Sequence, residues 1–274
     1  MNRQDVKNYG DKIRNYKKHG YIVPTKDIIK SKEQIDGIRE SGKINIEVLD
    51  CIAKKLYVGM STEEIDCIVN NKTKELGGIP AQLGYNFFPK SVCTSINNQV
   101  CHGIPSKNDI LKNGDIINID VSTIYNGYFS DSSRMFCIGD VDEEKLRLIN
   151  VAKEAMLEGL KHVKPWGFIG DIGYAVHKYA VKNGYTVVKE FGGHGVGLKF
   201  HEELFISFVS RPKTGMLMVP GMVFTVEPMV NMGSRYIYID EKNGWTVYTL
   251  DGKPSAQWEV TVAVTESGYE ILAY

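Results

Sequence analysis

Asp120, Asp131, His194, Glu227 and Glu259 are the residues of this chain whose types and spacing could do chemistry together, as donors to a cation. Asp120 and Asp131 flank Asn126-Gly127, a pair that favours a two-residue type I′ turn. Residues 118–122 alternate polar and apolar, and another strand-prone run starts at Tyr128. With a two-residue loop, Asp120 faces Ser133 and Asp131 faces Ser122. The carboxylates then share one sheet face as diagonal neighbours, roughly 7–8 Å apart at the backbone. Like charges held that close are costly unless something positive lies between them, and a metal ion is the simplest candidate. The plainer reading is a pair of solvated acids beside a turn.

A second copy of the pattern favours the metal. Gly114-Asp-Ile-Ile-Asn-Ile-Asp120 recurs as Gly221-Met-Val-Phe-Thr-Val-Glu227, at an offset of 107 residues. The same offset lays Ile65 over Ile172, each early in a helix expected before its strand. The chain reads as two related α/β halves delivering acids to a shared centre. Glu259 is the only charge in the strand-prone run Ser255–Val264; a salt bridge would also account for it, since a lone acid in a buried strand is seldom left unpaired. His194 lies in Phe191-Gly-Gly-His-Gly-Val-Gly197, where backbone can approach a ligand closely. A histidine in a glycine-rich turn also occurs by chance. Together, one imidazole and four carboxylates make a hard site suited to Mn, Fe(II), Co or Zn, and four negative charges balance two divalent cations.

The elements that must position these donors follow from caps and periodicity. Ser31-x-x-Gln34 and Ser61-x-x-Glu64 are capping boxes that open helices expected near 32–56 and 62–76. Further helices near 142–163 and 170–183 stop at Pro165 and Gly184. Strands are expected to fill 90–140 and 187–273. The fold class is α+β, a curved, mainly antiparallel sheet with helices outside it.

At this point the chain resembles the type 1 methionine aminopeptidases, from about Ser31 to the C-terminus. The matching stretches of the first half are Phe88-Pro-Lys-Ser-Val-Cys-Thr-Ser-Ile96, Val100-Cys-His-Gly-Ile-Pro105, Asn118-Ile-Asp-Val121 and Asp131-Ser-Ser-Arg-Met-Phe136. The second half adds Gly193-His-Gly-Val-Gly197, Phe200-His-Glu-Glu203, Phe224-Thr-Val-Glu-Pro-Met229 and Gln257-Trp-Glu259. The resemblance implies a pita-bread fold with a pseudo-twofold repeat, in one catalytic domain over 31–274 behind an extension over 1–30. It implies two divalent ions, with Asp120 on one, His194 and Glu227 on the other, and Asp131 and Glu259 bridging them. The reaction would be removal of an N-terminal methionine, before a small second residue, by metal-activated hydroxide. By the same resemblance Glu227 handles the proton, His201 stabilises the oxyanion and His102 contacts the substrate near the scissile amide. Tyr85, Phe88, Cys93, Phe200 and Trp245 would wall a pocket for the thioether side chain. Gln82 stands where a cysteine is frequent in the family, Phe88 where a tyrosine is, and Val260 where a histidine often occurs.

Composition narrows the alternatives. A chain of 274 residues with 43% hydrophobic residues can bury a substantial core, and a net charge of zero gives no global field for nucleic acid or anionic membrane. No apolar run approaches a membrane span, and the N-terminus lacks a signal-peptide core. Five cysteines without a Cys-x-x-Cys pair argue against a disulfide scaffold and fit a reducing cytoplasm. Residues 1–30 carry eight Lys or Arg against three Asp; they read as a solvated arm or a short helix wrapping the domain, or as a docking segment for the ribosome. The expected partner is the N-terminal methionine of nascent peptides, and the expected state a monomer. Two rivals remain: another pita-bread peptidase, such as a proline-specific one, and a non-catalytic binding protein on the same fold.

Overall fold

The computed structural model describes residues 3–274, with side chains from Gly10 onward. Among the described residues there are five α-helices: α1 (Arg3–Lys18), α2 (Lys32–Ala53), α3 (Thr62–Glu75), α4 (Glu143–Leu160) and α5 (Ile169–Lys182). Both capping boxes form. Ser31 and Gln34 exchange side chain-to-backbone hydrogen bonds, as do Ser61 and Glu64. Asp142 caps α4 by accepting from the Lys145 amide at 2.8 Å.

The central hairpin pairs Asp115–Tyr125 with Tyr128–Ile138, in the register that a two-residue Asn126-Gly127 turn dictates. Asn126 (φ 50°) and Gly127 (φ 81°) both take the left-handed conformation this turn needs. Helix α2 lies against the hairpin. Ile38, Val48, Leu49 and Ile52 are fully buried, and Ser41 and Asn45 bond to Thr123, Ser130 and Ser132 within the contact. Gly42 is required at this contact, since a Cβ there would stand 2.0 Å from the Leu272 carbonyl oxygen.

The offset of 107 holds through the fold. It carries α3 onto α5 at both ends and Ile79–Pro80 onto the strand Thr186–Val187. The pairing repeats as well: Ile79↔Ile124 and Pro80↔Thr123 in the first half become Thr186↔Asn231 and Val187↔Val230 in the second. Where the first half runs one strand, Asp115–Tyr125, the second runs two, Val223–Val226 and Met229–Asn231. The break falls at Glu227-Pro228, where proline has no amide to donate. The mainly antiparallel pairing expected from sequence is present, arranged among the described residues in four sheets, with an isolated Ser133↔Glu259 bridge tying the hairpin to the short gap between Gln257 and Val260.

The N-terminal segment runs along the domain with most of its described side chains exposed, and is fastened to it at a few points. Its first two residues lie outside the described residues. Tyr16 stacks on Trp166 at 5.5 Å, with Lys12 Nζ 4.0 Å over the same ring. The Ile22 carbonyl accepts from Leu217 at 2.9 Å, and the Lys30 amide donates to Gly221 at 2.8 Å. Lys30 then forms a buried ion pair with Glu202, whose other oxygen accepts from the Leu198 amide at 2.7 Å and the Lys199 amide at 3.3 Å.

Candidate metal centre

Asp120 and Asp131 lie on the hairpin strands, and Glu227 and Glu259 sit at the ends of strands beside them. Asp120 lies between Ser133 on one side and Cys93 on the other. Asp131 accepts from Ser122 Oγ at 2.7 Å, across the pair that the hairpin register sets. Glu227 follows the strand Val223–Val226; it accepts from Thr225 Oγ1 at 2.6 Å and from Gln257 Nε2 at 3.1 Å. The Glu259 amide donates to Ser133 O at 3.2 Å, which ties the fourth acid to the first hairpin.

His194 sits between two glycines for a steric reason. A Cβ at residue 193 would lie 2.3 Å from the Thr225 carbonyl oxygen, so only glycine lets the strands approach there. The ring Nδ1 is 3.0 Å from the Gly195 carbonyl oxygen, which turns Nε2 towards the acids. Nε2 stands 3.5 Å from Asp131 Oδ2 and 3.5 Å from Glu227 Oε1. Donor atoms of Asp131, His194 and Glu259 all lie within 4.8 Å of one another.

All five donors line one cavity of about 470 Å³. Asp131, Glu227 and Glu259 are buried. Burial, reinforced by the neighbouring carboxylates, pushes Asp120 and Glu259 well above the usual carboxylate range. Burial likewise raises Glu227 to about 7, against the pull of His194 and Thr225. Burial works to lower His194, but the hydrogen bond to Asp131 and the charges of Glu227 and Asp131 outweigh it and raise the imidazole to about 9. No lysine or arginine is among the described residues that line the cavity. A hard cation fits this oxygen-and-nitrogen set, because it would supply the positive charge that the cavity's own side chains lack.

The other residues singled out from sequence, namely Tyr85, Phe88, Cys93, His102, Phe200, His201 and Trp245, line the same cavity. Tyr85 packs edge-on against Phe200 at 4.7 Å and stacks on His201 at 5.0 Å. Phe88 meets Trp245 at 5.2 Å, and His102 meets Trp245 at 5.9 Å. The His201 ring is 4.1 Å from that of His194. Burial pushes both His102 and His201 down to about 4, so both are neutral near pH 7.

Sequence reasoning left out Asn86, Glu190, Phe191, Phe205 and Met229, which also line the cavity. Phe191 and Met229 were inside motifs already marked by their neighbours; Glu190 and Phe205 carried no signal. Gln82 has a structural explanation. Its Nε2 donates to the Asp120 carbonyl at 2.9 Å and its Oε1 accepts from the Ser122 amide at 3.1 Å, clamping the strand that carries Asp120.

Comparison with known proteins agrees with this geometry. The model of metallopeptidase family M24 matches residues 36–266. A methionine aminopeptidase of Rickettsia prowazekii (strain Madrid E) is 44% identical, over 91% of this chain and 93% of that protein. The crystal structure of methionine aminopeptidase from Rickettsia prowazekii superposes with a TM-score of 0.88 at 43% identity, covering 90% of this chain and 99% of that one. An X-Pro aminopeptidase from Thermotoga maritima MSB8 shares the fold alone, with a TM-score of 0.71 at 24% identity; this chain covers 62% of it. The chain therefore belongs to metallopeptidase family M24, and within it to the methionine aminopeptidases, with their pita-bread fold.

Proposed function

We propose that this cavity removes an N-terminal methionine from nascent peptides whose second residue is small. The observation that carries the reading is that five metal-competent donors and an apolar aromatic pocket line one cavity. Asp120 would hold one divalent ion, His194 and Glu227 the other, and Asp131 and Glu259 both, with Co, Mn, Fe(II) or Zn suited to the set. Such ions, when bound, supply a Lewis acid for the carbonyl and acidify a water molecule. Glu227 would accept a proton from that water and pass it to the leaving amide nitrogen. Neutral His201 offers one ring N–H to the developing oxyanion, and His102 faces the substrate amide. Tyr85, Phe88, Cys93, Phe200 and Trp245 would receive the thioether side chain.

Residues 31–274 would form the catalytic domain, a cytoplasmic monomer, with 1–30 as an extension whose basic residues could face ribosomal RNA. Among the described residues, no helix is long and apolar enough to cross a membrane.

The test is hydrolysis of Met-Ala-Ser, Pro-Ala-Ser and Met-Lys-Ser by chelator-stripped protein, with and without Mn or Co. Metal-dependent release of methionine from Met-Ala-Ser alone is expected. Metal binding without cleavage would sink the reading.

A further inference from the structure

The turn Gly84-Tyr-Asn-Phe-Phe88 contains the most exposed large apolar side chain of the described residues, Phe87 at 96%. Its flanking residues Tyr85, Asn86 and Phe88 line the catalytic cavity, so Phe87 stands at the cavity's edge, in water. The turn is held rigidly: the Phe88 amide donates to Tyr85 O at 2.8 Å, and the Gly84 amide to Phe88 O at 2.8 Å. Asn86 (φ 45°) and Phe87 (φ 68°) both adopt the left-handed backbone conformation that bulky residues avoid. A strained backbone that displays a solvated phenyl ring beside a catalytic cavity is a feature that packing does not explain.

Substrate geometry supplies an occupant. In an extended peptide, side chains alternate, so the first and third residues project to the same side, about 7 Å apart. If the methionine side chain lies against Tyr85 and Phe88, the third side chain projects towards the same wall, beyond the mouth of a cavity of about 470 Å³. Phe87 shares the turn that supplies that wall and stands just outside it. Phe205, 58% exposed, adds a second apolar ring among the residues lining the cavity.

We propose that Phe87 is a specificity-determining residue, forming a lip subsite that favours an apolar, above all aromatic, third residue of the peptide. This rests on the aminopeptidase reading above. The peptide, not a membrane or a protein partner, is chosen because the turn is continuous with the wall that takes the methionine.

The experiment compares Met-Ala-Phe with Met-Ala-Gly on the Mn-loaded full chain, for the wild type, Phe87→Gly and Phe87→Trp. Wild type should favour Met-Ala-Phe in kcat/KM by ~3- to 10-fold, the range one aromatic contact supports, with the difference in KM. Phe87→Gly, which suits a positive φ and should fold, brings the ratio close to one; Phe87→Trp keeps it. Calorimetry with an uncleavable reduced-amide analogue of Met-Ala-Phe should show the same loss of affinity in Phe87→Gly. A wild-type ratio near one, or one that survives in Phe87→Gly, overturns the subsite. Equal losses on both peptides would also overturn it, by making the ring a structural part. Wild type inert on both peptides despite bound Mn would instead defeat the parent reading, and the subsite with it.

Discussion

Asp131 joins several parts of the site: it accepts from Ser122, faces His194 at 3.5 Å, and shares a 4.8 Å cluster with Glu259. Asp131→Asn removes a charge but keeps the shape and the Ser122 contact. It should lower kcat by on the order of 100-fold or more and weaken metal uptake, with the far-UV circular dichroism unchanged. Full turnover in that variant would refute a bridging role. His201 offers a separate check, because its imidazole is pushed down to about 4 by burial and by the charge of His194. His201→Gln, which keeps a donor, should retain more activity than His201→Ala, and neither should shift the pH–rate profile above pH 6. All twelve residues picked from sequence meet in the cavity: hairpin register places Asp120 and Asp131 directly, while the pocket residues and His102 and His201 were legible only through the family resemblance. Glu190 and Phe205 were illegible, since their place depends on how distant loops meet.

At the scale of elements, the ion pair between Lys30 and Glu202 fastens the end of the N-terminal segment to the turn that carries Phe200 and His201. Their pairing has no sequence signal, as 171 residues stand between them and only folding makes them neighbours. Lys30→Met would leave Glu202 buried without its cation, at a cost on the order of 3 kcal/mol. A lower melting temperature is expected, with a loss in kcat larger than the change in metal affinity and partial rescue by Lys30→Arg. Wild-type kinetics in Lys30→Met would show that the turn holds itself. Helices α2 to α5 and the hairpin, by contrast, were legible to within about three residues, because caps and the Asn-Gly turn are local signals, whereas the bounds of α1 were not. Nor was the arrangement in four sheets: whether a strand breaks at Pro228 or bends around it depends on tertiary pairing.

At the scale of the molecule, the centre should make the metal-free protein sensitive to alkali. His194 holds its proton more tightly folded, at about 9, than the 6.5 of a free imidazole. That contribution is complete below pH 6.5 and is lost as the pH rises towards 9. Glu227, raised to about 7, acts in the same direction between 4.5 and 7. His102 and His201, lowered to about 4, act oppositely, but only between 6.5 and 4. Above pH 6.5 the melting temperature of chelator-stripped protein should therefore fall, and saturating Mn should flatten the decline by favouring the deprotonated donors. A melting temperature constant from pH 6.5 to 9 without metal would contradict the charge arrangement described.

The bridge from Ser133 to Glu259 also bears on when the enzyme can come to life during its own synthesis. Asp120 and Asp131 leave the ribosome together, but His194, Glu227 and finally Glu259 follow in that order. A chain halted between its two halves would display half a chelate. With the donor set proposed above, metal capture would be a late, vectorial event that waits for Glu259, fifteen residues from the end of the chain.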